Sequence, residues 1–360
     1  MSQHRSSSSS PSKRAKEVTE PRPSSSILLL SPTNQVLLLH RVETSTSFAS
    51  AHVFPGGNLD PFHDGEIPSK DAPQRHEDGH AYRLGAIREC FEETGILLAT
   101  KKNSNDTSAL VNVSAADRDR ARKQIYGGKV RFADWVNSVG GVPDTGRLIP
   151  FTRWVTPANV PKRFTTQMYI YMLPFSASTG PSAMENEIIV PTPDGGVEHT
   201  AAKFDDASTW LYRADKGEII LFPPQYYLLH LVSQFCKAAA PSPGHGDAYF
   251  ASQRNGLLDF LEGVPTTAAA RRHPTADIPW AHKVMSPHNL FVREGDGRLV
   301  LGLDKPGPEL RGSDRGGDWD RVVLVKFTRD GPRKVEVRGR EDVLREEKEA
   351  KRATEAEHKL

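Results

Sequence analysis

Cysteine and long hydrophobic runs are both scarce in this sequence. There are two cysteines in 360 residues, and neither Cys90 nor Cys236 sits in a CxxC or zinc-ligand spacing. This excludes a disulfide scaffold and fits a reducing compartment. The longest apolar runs, such as Ile27–Leu30 and Val36–Leu39, have the length of strands and are far too short to cross a bilayer. The sequence therefore predicts a soluble protein without a membrane partner.

An excess of charge of one sign is also lacking. The chain has 47 Lys and Arg against 45 Asp and Glu, a formal net charge of +2. We therefore expect no nucleic acid partner, because no global field draws the protein to a polyanion. Hydrophobic residues make up 37% of the chain, while 27 prolines and 28 glycines are present. This composition predicts a normal core with many loops and tails.

Changes in composition along the chain divide it into five predicted segments. The first is rich in Ser, Pro and basic residues and has no hydrophobic stretch suited to a signal peptide. Apolar and turn patterns characterise the longest segment, and Ala, Pro, Gly and His dominate the next. The prediction is a disordered tail at 1–25, the main domain at 26–238, a linker-like segment at 239–279, a β-rich extension at 280–340 and a charged tail at 341–360.

Hydrophobic periodicity predicts alternating strands and helices in the main domain. The predicted helices are Leu84–Leu98, Ala115–Ile125, Phe132–Val139, Asp205–Arg213 and Pro224–Cys236. The predicted strands are Ile27–Leu30, Val36–Arg41, Phe151–Val155 and Gln167–Leu173, followed in the extension by Leu290–Val292, Leu299–Leu301, Val322–Phe327 and Lys334–Val337. This mixture indicates an α/β fold.

The segment AIRECFEETGILL places acidic and apolar side chains on opposite sides of a helix. At about 100° per residue, one stripe is apolar and consists of Leu84, Ile87 and Phe91. The opposite arc carries Glu89, Glu92 and Glu93, with Arg88 four residues before Glu92. Crowded carboxylates favour a bound cation, and oxygen ligands suit Mg²⁺ or Mn²⁺. A solvated acidic helix face is the alternative reading of the helix alone.

The flanking residues resemble a known signature. Phe54-Pro55-Gly56-Gly57 stands upstream, and Thr94-Gly95-Ile96 follows the carboxylates. Glycine allows a close approach of the backbone to a ligand, and Gly95 is suited to end a helix. Together with Arg88-Glu89-x-x-Glu92-Glu93, these residues resemble the Nudix box of diphosphate hydrolases. The resemblance implies an α/β/α sandwich with a mixed sheet and a box helix against one face.

One departure from the family pattern is evident. In the family a Glu follows the second glycine after five residues, and seven more residues precede the arginine. Here thirty residues separate Gly57 from Arg88, and His80 occupies the position eight before Arg88. We expect Glu66 or Glu77 to replace the missing carboxylate.

The long insertion resembles the peroxisomal coenzyme A diphosphatase-like branch of the family. Further matching stretches are RWVTP at 153–157, KRFTT at 162–166, DGGVE at 194–198 and PPQYY at 223–227. The resemblance implies a Mg²⁺- or Mn²⁺-dependent diphosphatase with a small-molecule substrate. That substrate would be coenzyme A or acyl-coenzyme A, cleaved to adenosine 3′,5′-bisphosphate and a 4′-phosphopantetheine part.

The resemblance also implies roles for individual residues. The catalytic residues would be Glu89, Glu92 and Arg88, and the metal ligands Glu89, Glu92, Glu93 and Gly57. Glu89 and Glu93, one turn apart, are the leading ligands, and Glu89 oriented by Arg88 is an alternative base. Substrate contacts would come from Arg41, Lys162, Arg163 and Glu198, although solvated surface roles remain open for the last three. Cys90 lies between the ligands and is expected to pack in the core.

Two other functions and two compartments stay open at this point. One alternative is a Nudix enzyme of another substrate, such as NADH, ADP-ribose, a nucleotide sugar or an RNA cap, and the other is a non-catalytic nucleotide-binding scaffold. His358-Lys359-Leu360 resembles a weakened peroxisomal Ser-Lys-Leu address. We therefore expect a peroxisomal or cytoplasmic location rather than a mitochondrial one, because Glu17, Glu20 and the prolines do not suit a mitochondrial presequence.

Overall fold

The computed structural model describes residues 18–42, 50–102, 109–175, 191–192, 199–237, 246–264, 268 and 270–357. Glu198 and His358-Lys359-Leu360 lie outside these residues, so the roles assigned to them stay predictions. The strands in chain order are β1 (Arg22–Leu30), β2 (Val36–Arg41), β3 (His52–Val53), β4 (Gly56–Asn58), β5 (Ala99–Lys101), β6 (Gly141–Pro143), β7 (Ile149–Val155), β8 (Phe164–Met172), β9 (His199–Asp205), β10 (Val284–Met285), β11 (His288–Val292), β12 (Leu299–Leu303), β13 (Asp318–Thr328) and β14 (Gly331–Gly339).

The helices connect these strands and cover the sheet. They are α1 (Pro61–Asp64), α2 (His80–Thr94), α3 (Ala115–Tyr126), α4 (Phe132–Ser138), α5 (Ala207–Asp215), α6 (Pro223–Ser233), α7 (Gly246–Glu262) and α8 (Arg340–Glu357). The periodic segments of the main domain all form the predicted type of element, with ends that shift by a few residues. The shift at element ends reflects local capping, which hydrophobic periodicity does not specify.

The main sheet is mixed, as predicted. Its strand order is β10-β7-β8-β1-β2-β3, with β4 also paired to β1 and β9 to β2. Strand β1 runs parallel to β8 over its whole length, and β10 runs parallel to β7, whereas the other pairs are antiparallel. The first half of β1 pairs with β4 and its end pairs with β2, so β1 lies at the centre of the sheet.

Helices cover both faces of this sheet. Helix α2 packs its predicted apolar stripe on one face, in a core that contains Ile87 and Phe91 of the helix with Ile27 and Tyr169 of the strands. The opposite face of β1 packs against α6 in a second core. Alternation of side chains along β1 accounts for the two cores, because successive residues point to opposite faces. The α/β/α arrangement is therefore confirmed.

The N-terminal boundary differs from the prediction. Strand β1 begins at Arg22, so residues 22–25 are not part of a disordered tail. Ser24 and Ser25 are buried, although serine is a common residue of tails and loops. They are buried because β1 is flanked by β8 and β4, and the Ser24 hydroxyl lies 2.7 Å from that of Thr166 on β8.

The segment predicted to resemble a linker contains a long helix. Helix α7 buries Phe250, Leu257 and Leu261, which recur at helical spacing. Asn34 donates through Nδ2 to the Phe250 carbonyl at 3.0 Å and fixes the helix beside the β1–β2 turn. The prediction of a linker was wrong here because it was based on the many Ala, Pro and Gly residues of the segment, and the few apolar residues of the helix were not recognised as a stripe.

The C-terminal extension is β-rich, as predicted, and is continuous with the main domain. Strands β11 to β14 form a four-stranded antiparallel sheet in that order. Its inner face contributes Leu301, Val323 and Val325 to the core that contains α6. The charged segment after residue 340 forms α8, which buries Val343 against this sheet. None of the helices in the described ranges combines the length and apolar character that crossing a bilayer requires.

The position of β1 predicts that truncation of the N-terminus lowers stability. Deleting residues 1–25 removes the pairing of Arg22 to Ser25 with β8 and β4. Since each lost backbone hydrogen bond costs about 1 kcal/mol, we expect a loss of about 4 kcal/mol and a Tm lower by about 10 °C. Deletion of 1–17 alone is the control. Equal melting temperatures for the two truncated proteins, measured by calorimetry, would contradict this assignment.

Candidate active site

The glycine pair lies where β4 meets β1. Gly57 pairs with Ser25, and Gly56 pairs with Ser26 in the antiparallel ladder. Gly56 has a φ of +157°, and a Cβ there would lie 2.6 Å from the Cα of Ser26. A side chain cannot be accommodated at that distance, so the tight approach of β4 to β1 requires glycine.

Two box carboxylates converge on this segment, here called the glycine turn, which consists of the bend at Pro55 and the pair Gly56-Gly57. A Cβ on Gly57 would lie 2.5 Å from Oε1 of Glu89, so the space of a side chain is filled by that carboxylate. Glu93 accepts a hydrogen bond from the Gly56 N–H at 2.8 Å through its Oε2. The structure therefore brings together Gly57, Glu89 and Glu93 as the sequence predicted.

Arg88 connects the box helix to the residues around it. Its Nη1 donates to Glu89 Oε1 at 2.9 Å and to Glu92 Oε1 at 3.1 Å, which confirms the expected i,i+4 pair. Its Nη2 also donates to the Asn58 carbonyl at 3.0 Å. Burial lowers the pKa of Arg88, but the carboxylates of Glu89, Asp64 and Glu92 outweigh burial and raise this pKa well above its ordinary value. Arg88 is thus a permanent buried cation.

The carboxylate missing from the sequence pattern is Asp64. Its two oxygens accept from Nε and Nη2 of Arg88, each at 2.9 Å, and it is completely buried at the end of α1. The expected substitutes do not fill this position: Glu66 is exposed and Glu77 pairs with Arg315 at 2.9 Å. His80, the formal match, is exposed at the start of α2.

A signal for Asp64 was present in the spacing. It lies seven residues after Gly57, one more than the family pattern, so the insertion follows the carboxylate and does not precede it. Gly85 of α2 makes room for Asp64, because a Cβ there would lie 2.9 Å from Asp64 Oδ2. A search of both sides of the insertion for any acidic residue would have found it.

The carboxylates of the site are shielded from water. Burial raises the pKa of Glu89 to about 7, although the charge of Arg88 acts in the opposite direction. Burial also raises the pKa of Glu92, again against Arg88. Excess negative charge in a shielded site favours an added cation. Cys90, between them in sequence, is buried in the core as predicted, and burial raises its pKa to about 12.

The donor set at the glycine turn fits a hard divalent cation. Within the described residues, no group of three or more His, Cys, Asp and Glu side chains is arranged to hold a metal ion. Glu89 and Glu92 both accept a hydrogen bond from Arg88, while Glu89 lies against Gly57 and Glu93 accepts from the Gly56 N–H. Mg²⁺ in proteins commonly takes one or two carboxylates and completes its shell with water and substrate phosphate. The carboxylates of Glu89 and Glu93, placed beside the backbone of the two glycines, match that requirement.

His199 is a member of the site that the sequence did not reveal. It is completely buried on β9, opposite Arg41 of β2, and its Nε2 lies 3.6 Å from Oε1 of Glu93. The only nearby signal was Glu198, the preceding residue. The sheet register brings His199 to the end of α2, and register between distant strands is not visible in a single sequence.

A cleft of about 1290 Å³ opens beside the glycine turn. Gly57 and Glu89 lie in its wall, together with the predicted substrate residues Arg41 and Lys162. The C-terminal extension lines it as well, through the segments 286–289 and 305–315 and through Phe327. Residues of both the box and the extension therefore line the cleft, although the sequence predicted the two as separate segments.

Arg163 also borders the cleft, but its interactions are structural. Its guanidinium is buried and forms a two-pronged ion pair with Glu309, with Nη2 to Oε2 at 3.0 Å. Its Nε donates to the Thr156 carbonyl at 3.0 Å, and Nη1 donates to the Thr19 carbonyl at 2.7 Å. Arg163 is therefore not a solvated surface residue but joins the main domain to the extension, and its contact with a substrate phosphate stays a prediction.

Comparison with known proteins agrees with this geometry. Residues 62–231 match the family model of the NUDT19 Nudix domain. This segment of the chain is therefore similar to a Nudix domain. The match begins after the glycine turn and contains α2 with all three box glutamates, so the insertion lies inside a recognised Nudix domain.

Two curated relatives carry the description "Acyl-coenzyme A diphosphatase NUDT19". The protein from Xenopus laevis is 25% identical over 241 residues, which cover 56% of this chain and 60% of that one. The protein from Gallus gallus is 26% identical over 246 residues, which cover 56% and 61%. This chain thus spans about three fifths of the length of these relatives. A solved "NUDIX hydrolase from Alicyclobacillus acidocaldarius" has a TM-score of 0.46 at 21% identity and covers 60% of this chain and 92% of that one.

The role of Asp64 in the Nudix domain can be tested by Asp64→Asn. Loss of its charge leaves Arg88 buried with one fewer counter-ion, so we expect a loss of about 3 kcal/mol, or about 5–10 °C in Tm. Glu66→Gln is the control, because this exposed residue occupies the role only in the sequence pattern. Chemical denaturation of both variants measures the difference. An Asp64→Asn protein as stable as Glu66→Gln would show that Arg88 does not depend on Asp64.

Proposed function

We propose that this protein is a Mg²⁺- or Mn²⁺-dependent diphosphatase that acts on coenzyme A or acyl-coenzyme A. The observation that carries this proposal is the position of the glycine turn and Glu89 in the wall of a large cleft with a cationic lining. The volume of about 1290 Å³ exceeds the roughly 300–1,000 Å³ of ordinary small-molecule sites and suits an extended ligand of coenzyme A size. The printed names of the Xenopus and Gallus relatives support the same substrate.

Glu89, Glu93 and the backbone of Gly57 would hold the divalent cation. Bound there, it would supply neutralisation of the diphosphate charge and a lower pKa for the attacking water. The residues of the chain provide the rest. Arg88 fixes Glu89 and Glu92 through two hydrogen bonds, so neither carboxylate has to reorganise when substrate arrives.

The reaction needs an acceptor for one proton. The oxygen of water forms a bond to one phosphorus of the diphosphate, the bridging P–O bond breaks, and the leaving phosphate keeps the bond electrons. The proton of the water passes to a box carboxylate. Glu92, which is not among these metal ligands, is suited to accept it, because burial raises its pKa and makes it a stronger base than an exposed carboxylate.

A non-catalytic Nudix scaffold is the less favoured alternative. A binding protein has no need to retain three box glutamates, and here two contact the glycine turn while Arg88 holds the third. The other alternative is a different substrate of the same reaction. A turnover screen against coenzyme A, acyl-coenzyme A, NADH, ADP-ribose and capped RNA separates these functions. Fastest turnover of any other compound in the series would overturn the assignment to coenzyme A.

Replacement of Glu89 or Glu93 by Gln tests the catalytic assignment. Each change keeps the shape of the side chain and removes a charged oxygen, so turnover should fall by about a hundredfold or more. In addition, Mg²⁺ should raise the Tm of the wild-type protein and not that of either variant. His80→Ala, at the formal but exposed match, should leave both turnover and the Mg²⁺ effect nearly unchanged. Near-full turnover in both Gln variants would reduce the cluster to a solvated acidic face.

The stability of Glu89→Gln without metal can also be predicted. The pKa of Glu89 is raised from 4.5 to about 7, so the folded state binds its proton more tightly than the unfolded state does. Stability of the wild-type protein therefore falls as pH rises from about 4.5 toward 7. Glu89→Gln lacks this titration. In EDTA at pH 8 its Tm should equal or exceed that of the wild type, and a clearly lower Tm would contradict the raised pKa.

A further inference from the structure

We infer that the loop 305–315 of the C-terminal extension is a phosphate-binding element, and that it recognises a second anionic group of the substrate through Lys305 and Arg311. This inference rests on the proposed function and adds to it which part of the substrate the extension binds. Both side chains are exposed and line the cleft that contains Gly57 and Glu89. The loop lies more than 200 residues after the box in sequence, so only the fold brings the two together.

The loop is fixed to the Nudix domain at two points. Glu309, in its centre, is held by the buried guanidinium of Arg163. Arg315, at its end, donates to Glu77 Oε1 at 2.9 Å. The base of the loop is closed by a hydrogen bond from the Gly317 N–H to the Asp304 carbonyl at 3.0 Å. A loop anchored in this way presents its cations without a large loss of entropy on binding.

Its charges leave a local excess of positive charge. The one carboxylate of the loop that faces the main domain, Glu309, is neutralised by Arg163, and Asp314 is almost completely exposed beside Arg315. Among the described residues that line the cleft, the carboxylates are Glu20 and Glu89, whereas the cations other than the two anchoring arginines are Arg22, Arg41, Lys162, Lys305 and Arg311. The chain as a whole is nearly neutral, with a net charge of +2. The cleft is therefore a concentrated cationic site.

The residue that anchors the loop, Arg163, is separated from Gly57 along β1. Arg22 adjoins this loop through Arg163, whose carbonyl accepts its N–H, and it lies three residues before Ser25, the partner of Gly57. At about 3.3 Å per residue this separation is roughly 10 Å along the strand. A diphosphate at Glu89 does not extend across that distance alone. The loop thus suits a further phosphate on the same molecule.

This geometry selects a class of nucleotide. In coenzyme A the adenosine ribose carries a phosphate on its 3′ oxygen and the diphosphate on its 5′ oxygen. NADH and ADP-ribose have no phosphate at the 3′ position. Lysine and arginine bind phosphate monoesters through strong charge-assisted hydrogen bonds. The inferred ligand of Lys305 and Arg311 is accordingly the phosphomonoester of a 3′-phosphorylated adenosine moiety.

The decisive measurement is binding by the full chain of adenosine 3′,5′-bisphosphate against AMP, by titration calorimetry. The wild-type protein should bind the bisphosphate at least about tenfold more tightly than AMP, since a charge-assisted contact is worth that much. The double variant Lys305→Ala/Arg311→Ala should lose this preference. Lys326→Ala/Arg329→Ala is the matched control, because it removes two exposed cations of the same extension that do not line the cleft.

The outcomes separate the inference from the proposed function. Loss of the preference in the first double variant alone, with a raised KM and an unchanged kcat for coenzyme A, supports the inference. A wild-type protein without the preference, or equal preference in both double variants, overturns it. Turnover of coenzyme A and dephospho-coenzyme A with equal kcat/KM would likewise overturn the inference and leave the hydrolase intact. A retained binding preference without any turnover of coenzyme A would instead support the loop assignment and refute the proposed function.

Discussion

The buried guanidinium of Arg88 is the interaction on which the site depends. It contacts both oxygens of Asp64, the carboxylates of Glu89 and Glu92, and the carbonyl of Asn58. One cation thus joins α1, the box helix and the β4 strand. Removal of such a charge would leave several buried carboxylates without compensation, which costs more than the pairing contributes. The insertion of the box lies in the chain between Asp64 and α2, and the contacts of Arg88 are made on both sides of it.

A second ion pair determines how large the site becomes. Arg163 and Glu309 join the main domain to the C-terminal extension, and the inner face of the extension packs against α6 in the shared core. The loop 305–315 therefore forms part of the wall of the cleft. Burial of apolar surface holds the main domain and the extension together but is not directional. The ion pair is directional and selects one relative position of the two.

Much of this arrangement could be predicted because it is local. The apolar stripe Leu84, Ile87 and Phe91 specifies the box helix, and Gly95, with a φ of +74° and its N–H bonded to the Phe91 carbonyl, ends it. The glycine pair and the two glutamates one helical turn apart are local motifs, and their resemblance to the box predicts that they lie side by side. Predictions at the boundaries of segments were weaker. Serines at 24 and 25 resembled a tail, and α7 resembled a linker, since composition does not report whether a neighbouring strand satisfies the backbone.

The sequence by itself determined the alternation of strands and helices, the box helix and the identity of its acidic face, because short-range periodicity and spacing specify these features. Only the tertiary structure decided which residues join that face. Asp64 reaches Arg88 across the insertion, His199 reaches Glu93 through the register of β9 with β2, and Arg163 is buried in the domain contact. The physical reason is the same in each case. The partner lies far away in sequence, and its position is set by packing and strand pairing that involve the whole chain.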